Sequence, residues 1–211
     1  MENMSYLPFS RRLAGCLAAG AGLSPEKEAI LAYAIEILVL NLINIFLALM
    51  LGLLLGVLPG TAACLFTAAL FRHTAGGAHS RSPWRCGVLT VTVFPLLALL
   101  SGCLANIKPP FSGMFLVAAV LAGTAAIIIL APVDSPAAPV IAPARRKKLK
   151  LLSLLMLLLL AVGLAVLQLI PSSGAREIQL CIAITVLWNS IMLTKPGHAL
   201  IFFIDRIRII K

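Results

Sequence analysis

Two side chains of the types that carry out nucleophilic chemistry stand seven positions apart in the stretch FRHTAGGAHSRSPWRCG, Phe71 to Gly87: His79 and Cys86. Gly76 and Gly77 break the helix that precedes them. Ser82 followed by Pro83 starts the next one, with Ser82 as N-cap and Pro83 at the first helical position. Cys86 then falls in the first turn, where free backbone N–H groups, the positive end of the helix dipole, and Arg81 and Arg85 all favour negative charge on sulfur. The same N–H groups can donate to an oxyanion during acyl transfer. A single straight helix would hold His79 about 10 Å from Cys86, but Pro83 and the glycine pair prevent one, so the turn can bring imidazole to thiol. A Cys–His pair at a membrane surface suits acyl transfer: imidazole takes the thiol proton and later protonates the leaving amine. Two other readings compete. Both residues can simply cap and pack a loop, or His73, His79 and Cys86 can bind a metal, although their spacing matches no common zinc pattern.

The elements that must position this pair lie in a membrane. With 61% hydrophobic and 11% charged residues among 211, the apolar atoms cannot all be hidden in one soluble core. The net charge of +10 comes from basic residues that flank apolar spans and do not interleave with aromatics, which argues for membrane orientation and against nucleic acid. The five cysteines form no CxxC pair, and most sit in apolar runs, so no disulfide framework or zinc module is expected. Leu13 to Cys16, LAGC, has the form of a lipoprotein cleavage box. Arg11 and Arg12 stand where such a box needs an apolar run, so neither lipidation nor a cleaved signal peptide is expected.

A bilayer core of about 30 Å needs about 20 apolar helical residues. Ile37 to Leu58, Gly87 to Ile107, Phe111 to Val133, Leu151 to Ile170 and Ile178 to Thr194 carry no charge, whereas a sixth segment, Thr61 to Phe71, is short unless it continues past Arg72. If all six cross with the N-terminus inside, only Lys108 and Arg176 of the 17 basic residues fall outside. If the short segment is re-entrant, the best orientation reverses the N-terminus and sorts the charges less cleanly. Either way the loop bearing His79 and Cys86 faces the cytoplasm. The expected fold is an all-α integral membrane protein with about six transmembrane or membrane-embedded helices, one of them short, in a single polytopic domain. Interfacial helices are expected at the termini, over Tyr6 to Ala21 within an N-terminal segment 1–24, and over Ala199 to Lys211 after a break at KPGH. The first long helix starts at Pro25 behind Ser24 and should run towards Val57, projecting beyond the bilayer. Residues 72–86 form the candidate catalytic loop, and residues 134–150 a Pro-rich, basic, extended cytoplasmic loop beside anionic lipid headgroups.

Glu36 is costly to bury in an otherwise apolar span. It can orient His79, bind a substrate group or reach the interface. Asn41, Asn44 and Asn189 are expected to make interhelical hydrogen bonds.

Around the loop, the sequence resembles the AgrB family, the membrane cysteine endopeptidases of Gram-positive quorum-sensing systems. The family pattern is an arginine, a glycine-rich turn, a histidine, and a cysteine seven residues later, matched here by Arg72, Gly76, Gly77, His79 and Cys86. Glu36 within AIEILVLNLINI, APVDSPAAPV followed by RRKKLK, and IQL at Ile178 to Leu180 extend the likeness over most of the chain. The resemblance implies Cys86 as nucleophile and His79 as general base and acid. The implied partners are membrane lipids, a second copy of the chain in a homodimer, and an AgrD-like propeptide with an amphipathic leader, a core holding an internal Cys or Ser, and an acidic tail. Cys86 would attack the bond after the core, release the tail, and hold the core as a thioester until the internal thiol or hydroxyl closes a thiolactone or lactone, with no cofactor or metal. Arg72 would bind a substrate carboxylate or lipid headgroups, and Arg145, Arg146, Lys147 and Lys148 would attract the acidic tail. The alternative is a small transporter or exporter of a peptide, with Glu36 and the polar loop lining a path. A third is a non-catalytic membrane scaffold. The loop itself offers no third catalytic residue, so a group to orient His79 would come from Glu36 or Asp134, if there is one.

Overall fold

The computed structural model describes residues 7–78, 80, 82–105, 109–133 and 142–206. Eight helices follow one another: α1 (Pro8–Ala21), α2 (Pro25–Leu54), α3 (Leu58–Thr74), α4 (Pro83–Leu104), α5 (Pro109–Leu130), α6 (Pro143–Gln168), α7 (Ser173–Met192) and α8 (Lys195–Arg206). Proline opens or nearly opens all of them except α7, because its missing N–H falls where the first turn has no acceptor to offer. In α7 the Ser172 hydroxyl takes over that task and accepts from Ala175 N at 3.1 Å.

The chain forms two compact units, Met1–Leu47 and Ala48–Lys211. In the first, α1 closes on Gly22 in the left-handed conformation (φ 60°), with the Gly22 and Leu23 amides both donating to the Ala18 carbonyl. Phe9, Leu13 and Leu17 recur every four residues and stay exposed, while Ser10, Ala14 and Ala18 are buried. Exposed Arg11 and Arg12 stand beside this open apolar face.

In the second unit α7 is the hub, packing against α3, α4, α5, α6 and α8. One core cluster joins Phe71, Ile127, Leu157, Leu160 and Val186, and another joins Cys64, Ala68, Phe94, Ala98 and Cys181. Many large side chains, among them Leu96, Leu121, Ile129, Leu159 and Val166, are exposed, which only a hydrocarbon solvent tolerates at this density. Among the described residues, α2, α4, α6 and residues 111–130 of α5 are each long and apolar enough to cross a membrane, and α7 with α8 qualifies as a bent pair at 82°. The protein is therefore a multi-pass membrane protein. At 17 residues α3 is about 25 Å long, reaching past Arg72 as the sequence allowed but short of a full bilayer core.

Several boundaries differ from the sequence reading. The basic block Arg145 to Lys150 is not extended: α6 begins at Pro143 and includes it, two turns before the apolar run. Lys and Arg are good helix formers, and Pro143 supplies a pre-set φ. Arg146 Nη2 donates to the Pro132 carbonyl at 3.2 Å and Lys150 Nζ to the Ile128 carbonyl, so two of these cations satisfy acceptors at or just past the C-terminal end of α5. Val133 is not part of a span, because α5 stops at Leu130 and Val133 forms a parallel bridge with Gly76. KPGH is not a break before the last helix but its first turn. The Cβ that Gly197 lacks would meet the Ile191 carbonyl, and that close approach permits the sharp bend from α7 into α8. Residues 134–141 and 207–211, parts of the expected loop and last helix, lie outside the described residues.

Candidate active site

The loop between α3 and α4 is held by backbone bonds from two sides. α3 ends at Thr74, and Gly76 (φ 77°) and Gly77 (φ 129°) then turn the chain through conformations that L side chains rarely adopt. A Cβ on Gly76 would collide with the Val133 carbonyl. Val133 N donates to Ala75 O at 2.9 Å, and Ala78 N donates to Met192 O at 2.9 Å. The glycine pair thus does more than end a helix: it lets the loop backbone lie against the segment after α5 and the last turn of α7.

α4 starts as read, with Ser82 at the N-cap in an extended conformation and Cys86 in the first turn. The Ser82 hydroxyl makes no capping bond. The Ser82 amide donates to the Ser80 hydroxyl oxygen at 3.2 Å. The Cys86 amide already donates to Ser82 O at 3.1 Å, so among the first-turn amides it is not one left for a substrate.

The cation at the sulfur is Arg72, whose Nη2 lies 3.4 Å from Cys86 Sγ. Sequence reasoning assigned this charge to a substrate carboxylate or to headgroups and gave Arg81 and Arg85 to the sulfur. Arg85 instead turns to α8, with Nη1 at 3.1 Å from the Ile204 carbonyl and 3.8 Å from Asp205 Oδ1. Arg81 lies outside the described residues. The reason is geometric: Arg72 leaves the last turn of α3 just before the chain reverses, so the reversal stacks it over the first turn of α4.

Asp205 is a residue the sequence reading missed. Its Oδ1 accepts from the Ser80 hydroxyl as well as pairing with Arg85, so one carboxylate on α8 ties down two positions of the loop. An acidic residue in a helix otherwise rich in apolar and basic residues was the available signal. His79 lies outside the described residues, as does Asp134. The residues on either side of His79 are both anchored, Ala78 to α7 and Ser80 to α8.

A cleft with about 560 Å³ of atom-free space, partly open to solvent, lies over these groups. Arg72, Gly76, Gly77, Ser80 and Cys86 share its wall with apolar residues such as Leu89, Phe94, Trp188 and Met192. Asn189 also lines it, and its Nδ2 is buried with no hydrogen-bond partner, contrary to the interhelical bond expected for it. Glu36 is buried (3% exposed) in α2 within the first unit. Arg145, Lys147 and Lys148 are exposed on the first turns of α6. Among the described residues, no group of three or more His, Cys, Asp or Glu is arranged to hold a metal ion.

No solved structure matches this chain. Two relatives from Clostridium perfringens, "Putative AgrB-like protein 2" of strain 13 / Type A and "Putative AgrB-like protein" of strain SM101 / Type A, are each 28% identical over 211 residues, covering 97% of this chain and 96% of the relative. A family model described as Accessory gene regulator B matches residues 10–193, from α1 to the end of α7, and leaves α8 with Asp205 beyond the match. Across that match run the arginine, the glycine turn, the histidine and the cysteine of the loop, and the chain belongs to the accessory gene regulator B (AgrB) family.

Proposed function

We propose that the protein is a membrane-embedded cysteine endopeptidase that removes the C-terminal tail of an AgrD-like propeptide and promotes ring closure of the remaining core. Family membership supports a role in processing the agr autoinducing peptide. The observation that carries the finer reading is the Arg72 guanidinium 3.4 Å from Cys86 Sγ at the head of α4, beside a loop that carries His79 and beneath an open cleft. A fixed cation at a thiol is the environment that activates cysteine nucleophiles.

In this reading His79 takes the proton of Cys86, and Arg72 balances the charge on sulfur. The sulfur attacks the carbonyl carbon of the bond between core and tail. The tetrahedral intermediate collapses with the C–N bond breaking, and His79 returns the proton to the departing amine. The core stays on Cys86 as a thioester. Its internal thiol or hydroxyl then attacks that carbonyl, closing a thiolactone or lactone and freeing Cys86. Hydrolysis of the thioester competes unless water is kept away, which the apolar wall of Leu89, Phe94, Trp188 and Met192 favours. The loop works at the cytoplasmic face, where a new propeptide arrives. The exposed cations Arg145, Lys147 and Lys148 draw in its acidic tail.

The test is tail release from a propeptide in lipid vesicles. Cys86→Ala and His79→Ala each abolish release and leave membrane insertion unchanged. Release at the normal rate by either variant removes the reading.

A further inference from the structure

Among the described residues of the second unit, Thr67, Thr185 and Asn189 each have a buried side-chain polar atom with no hydrogen-bond partner, and of these three Asn189 alone lines the cleft. Its neighbour Ser190 returns its hydroxyl to the Val186 carbonyl at 2.7 Å, as Thr74 and Thr90 do to Leu70 and Cys86, so these three hydroxyls are satisfied on their own helix backbone. The Asn189 amide is not: Nδ2 is buried without a partner. Leaving a buried donor unmade costs its desolvation without return, and such groups in a folded protein call for an explanation.

The donor stands in the wall of the cleft that contains Cys86 and Arg72. Its backbone is rigid relative to the loop, because Met192, one turn further along α7, accepts the Ala78 amide, and the Leu193 amide closes on Asn189 O at 3.2 Å. Leu89, Val93 and Phe94 in the same wall carry no donor for a carbonyl oxygen, and Thr90 spends its hydroxyl on the Cys86 carbonyl. The Cys86 amide is already spent on Ser82 O, so a donor for the developing oxyanion has to come from elsewhere.

We propose that Asn189 is a catalytic residue of the acyl transfer, its Nδ2 donating to the substrate carbonyl oxygen as that oxygen becomes an oxyanion. The inference rests on Cys86 being the nucleophile. As the S–C bond forms, the π pair of the carbonyl moves onto oxygen, where the Asn189 amide and the unconsumed first-turn amides of α4 can meet it. When the pair returns, the C–N bond breaks and the amine leaves with the proton held by His79. The same contact serves the second step, in which the internal thiol or hydroxyl attacks the thioester.

The test compares two reagents on the full-length protein in lipid nanodiscs, with modification of each cysteine resolved by peptide mass spectrometry. Acetylation by p-nitrophenyl acetate passes through an oxyanion, whereas alkylation by iodoacetamide at a saturated carbon does not. Asn189→Leu and Asn189→Asp, close to isosteric, lower acetylation of Cys86 by at least about tenfold, a fraction of the ~10²–10³ that loss of such a donor costs with amide substrates. Alkylation of Cys86 stays within about twofold, which also reports that the loop and Arg72 remain in place. Acetylation unchanged in both variants, or both rates falling together, overturns the proposal. A wild-type Cys86 no more reactive than the exposed Cys16 towards either reagent overturns the nucleophile reading instead, and this one with it.

Discussion

Arg72 has the geometry of a partner to the thiol and not of a headgroup anchor alone, since its Nη2 approaches Cys86 Sγ to 3.4 Å while the guanidinium remains in contact with solvent. A partly solvated cation is screened, so its worth is best read from rates. Arg72→Gln lowers iodoacetamide alkylation of Cys86 at neutral pH by about tenfold. Arg72→Lys recovers part of that loss, because the charge survives but the planar fork does not. Competition kinetics against a reference thiol measures both. Gly76 is the other position where one atom decides the outcome. At φ 77° and against the Val133 carbonyl, a methyl group is excluded twice, by backbone conformation and by contact. Gly76→Ala should cost about 1–3 kcal/mol of stability, seen as a lower thermal midpoint in detergent, and should reduce tail release further than that destabilisation explains.

At the scale of elements, α8 is a brace for the loop. Its Asp205 holds Ser80 and Arg85, which bracket the short stretch leading into α4, and its position is set by the 82° bend that Gly197 permits. Asp205→Ala should leave helical content by circular dichroism unchanged and lower tail release by about tenfold to a hundredfold, the range expected when a reacting group is displaced by about an ångström. Asp205→Glu, which keeps the charge on a longer stem, should restore part of the rate. An Asp205→Ala variant with full activity would mean that the loop is fixed well enough by Val133 and Met192 alone. Helix α7 contributes differently, since it packs against α3, α4, α5 and α6 in the core and offers Asn189 and the Met192 carbonyl to the site.

For the whole molecule, α4 supplies a ruler. Cys86 in its first turn and the exposed Cys103 in its last are 17 residues apart, about 26 Å along the axis. A helix that crosses must therefore present the two thiols near opposite faces of the bilayer. A membrane-impermeant maleimide should label Cys86 in inside-out vesicles and Cys103 in right-side-out vesicles. The reverse pattern would place the loop outside the cell and contradict the charge asymmetry of the sequence. In the same preparations, Lys147→Gln with Lys148→Gln should raise KM for a propeptide with an acidic tail severalfold at low salt and hardly at all at high salt. Exposed charges act through a field that ions screen.

The membrane class, the order of the helices and the identity of the loop followed from local chemistry. Runs of about 20 apolar residues, prolines at helix starts and glycines at a reversal each act within a turn or two of chain, so they can be read without knowing any neighbour. What lay beyond reach depended on residues far apart in sequence meeting in space. Arg72 was visible as a basic residue, but its placement on Cys86 Sγ required the reversal at Gly76 and Gly77. Arg85 looked like the better partner until Asp205, 120 positions away, claimed it. Likewise the basic block looked like loop because prolines precede it, whereas acceptors near the end of α5 reward its being helical. The unpartnered amide of Asn189 is the clearest case. An asparagine in an apolar span is expected to find a partner on a neighbouring helix, and only the packing of α7 around the cleft leaves its donor unpaired in a wall that Cys86 also lines.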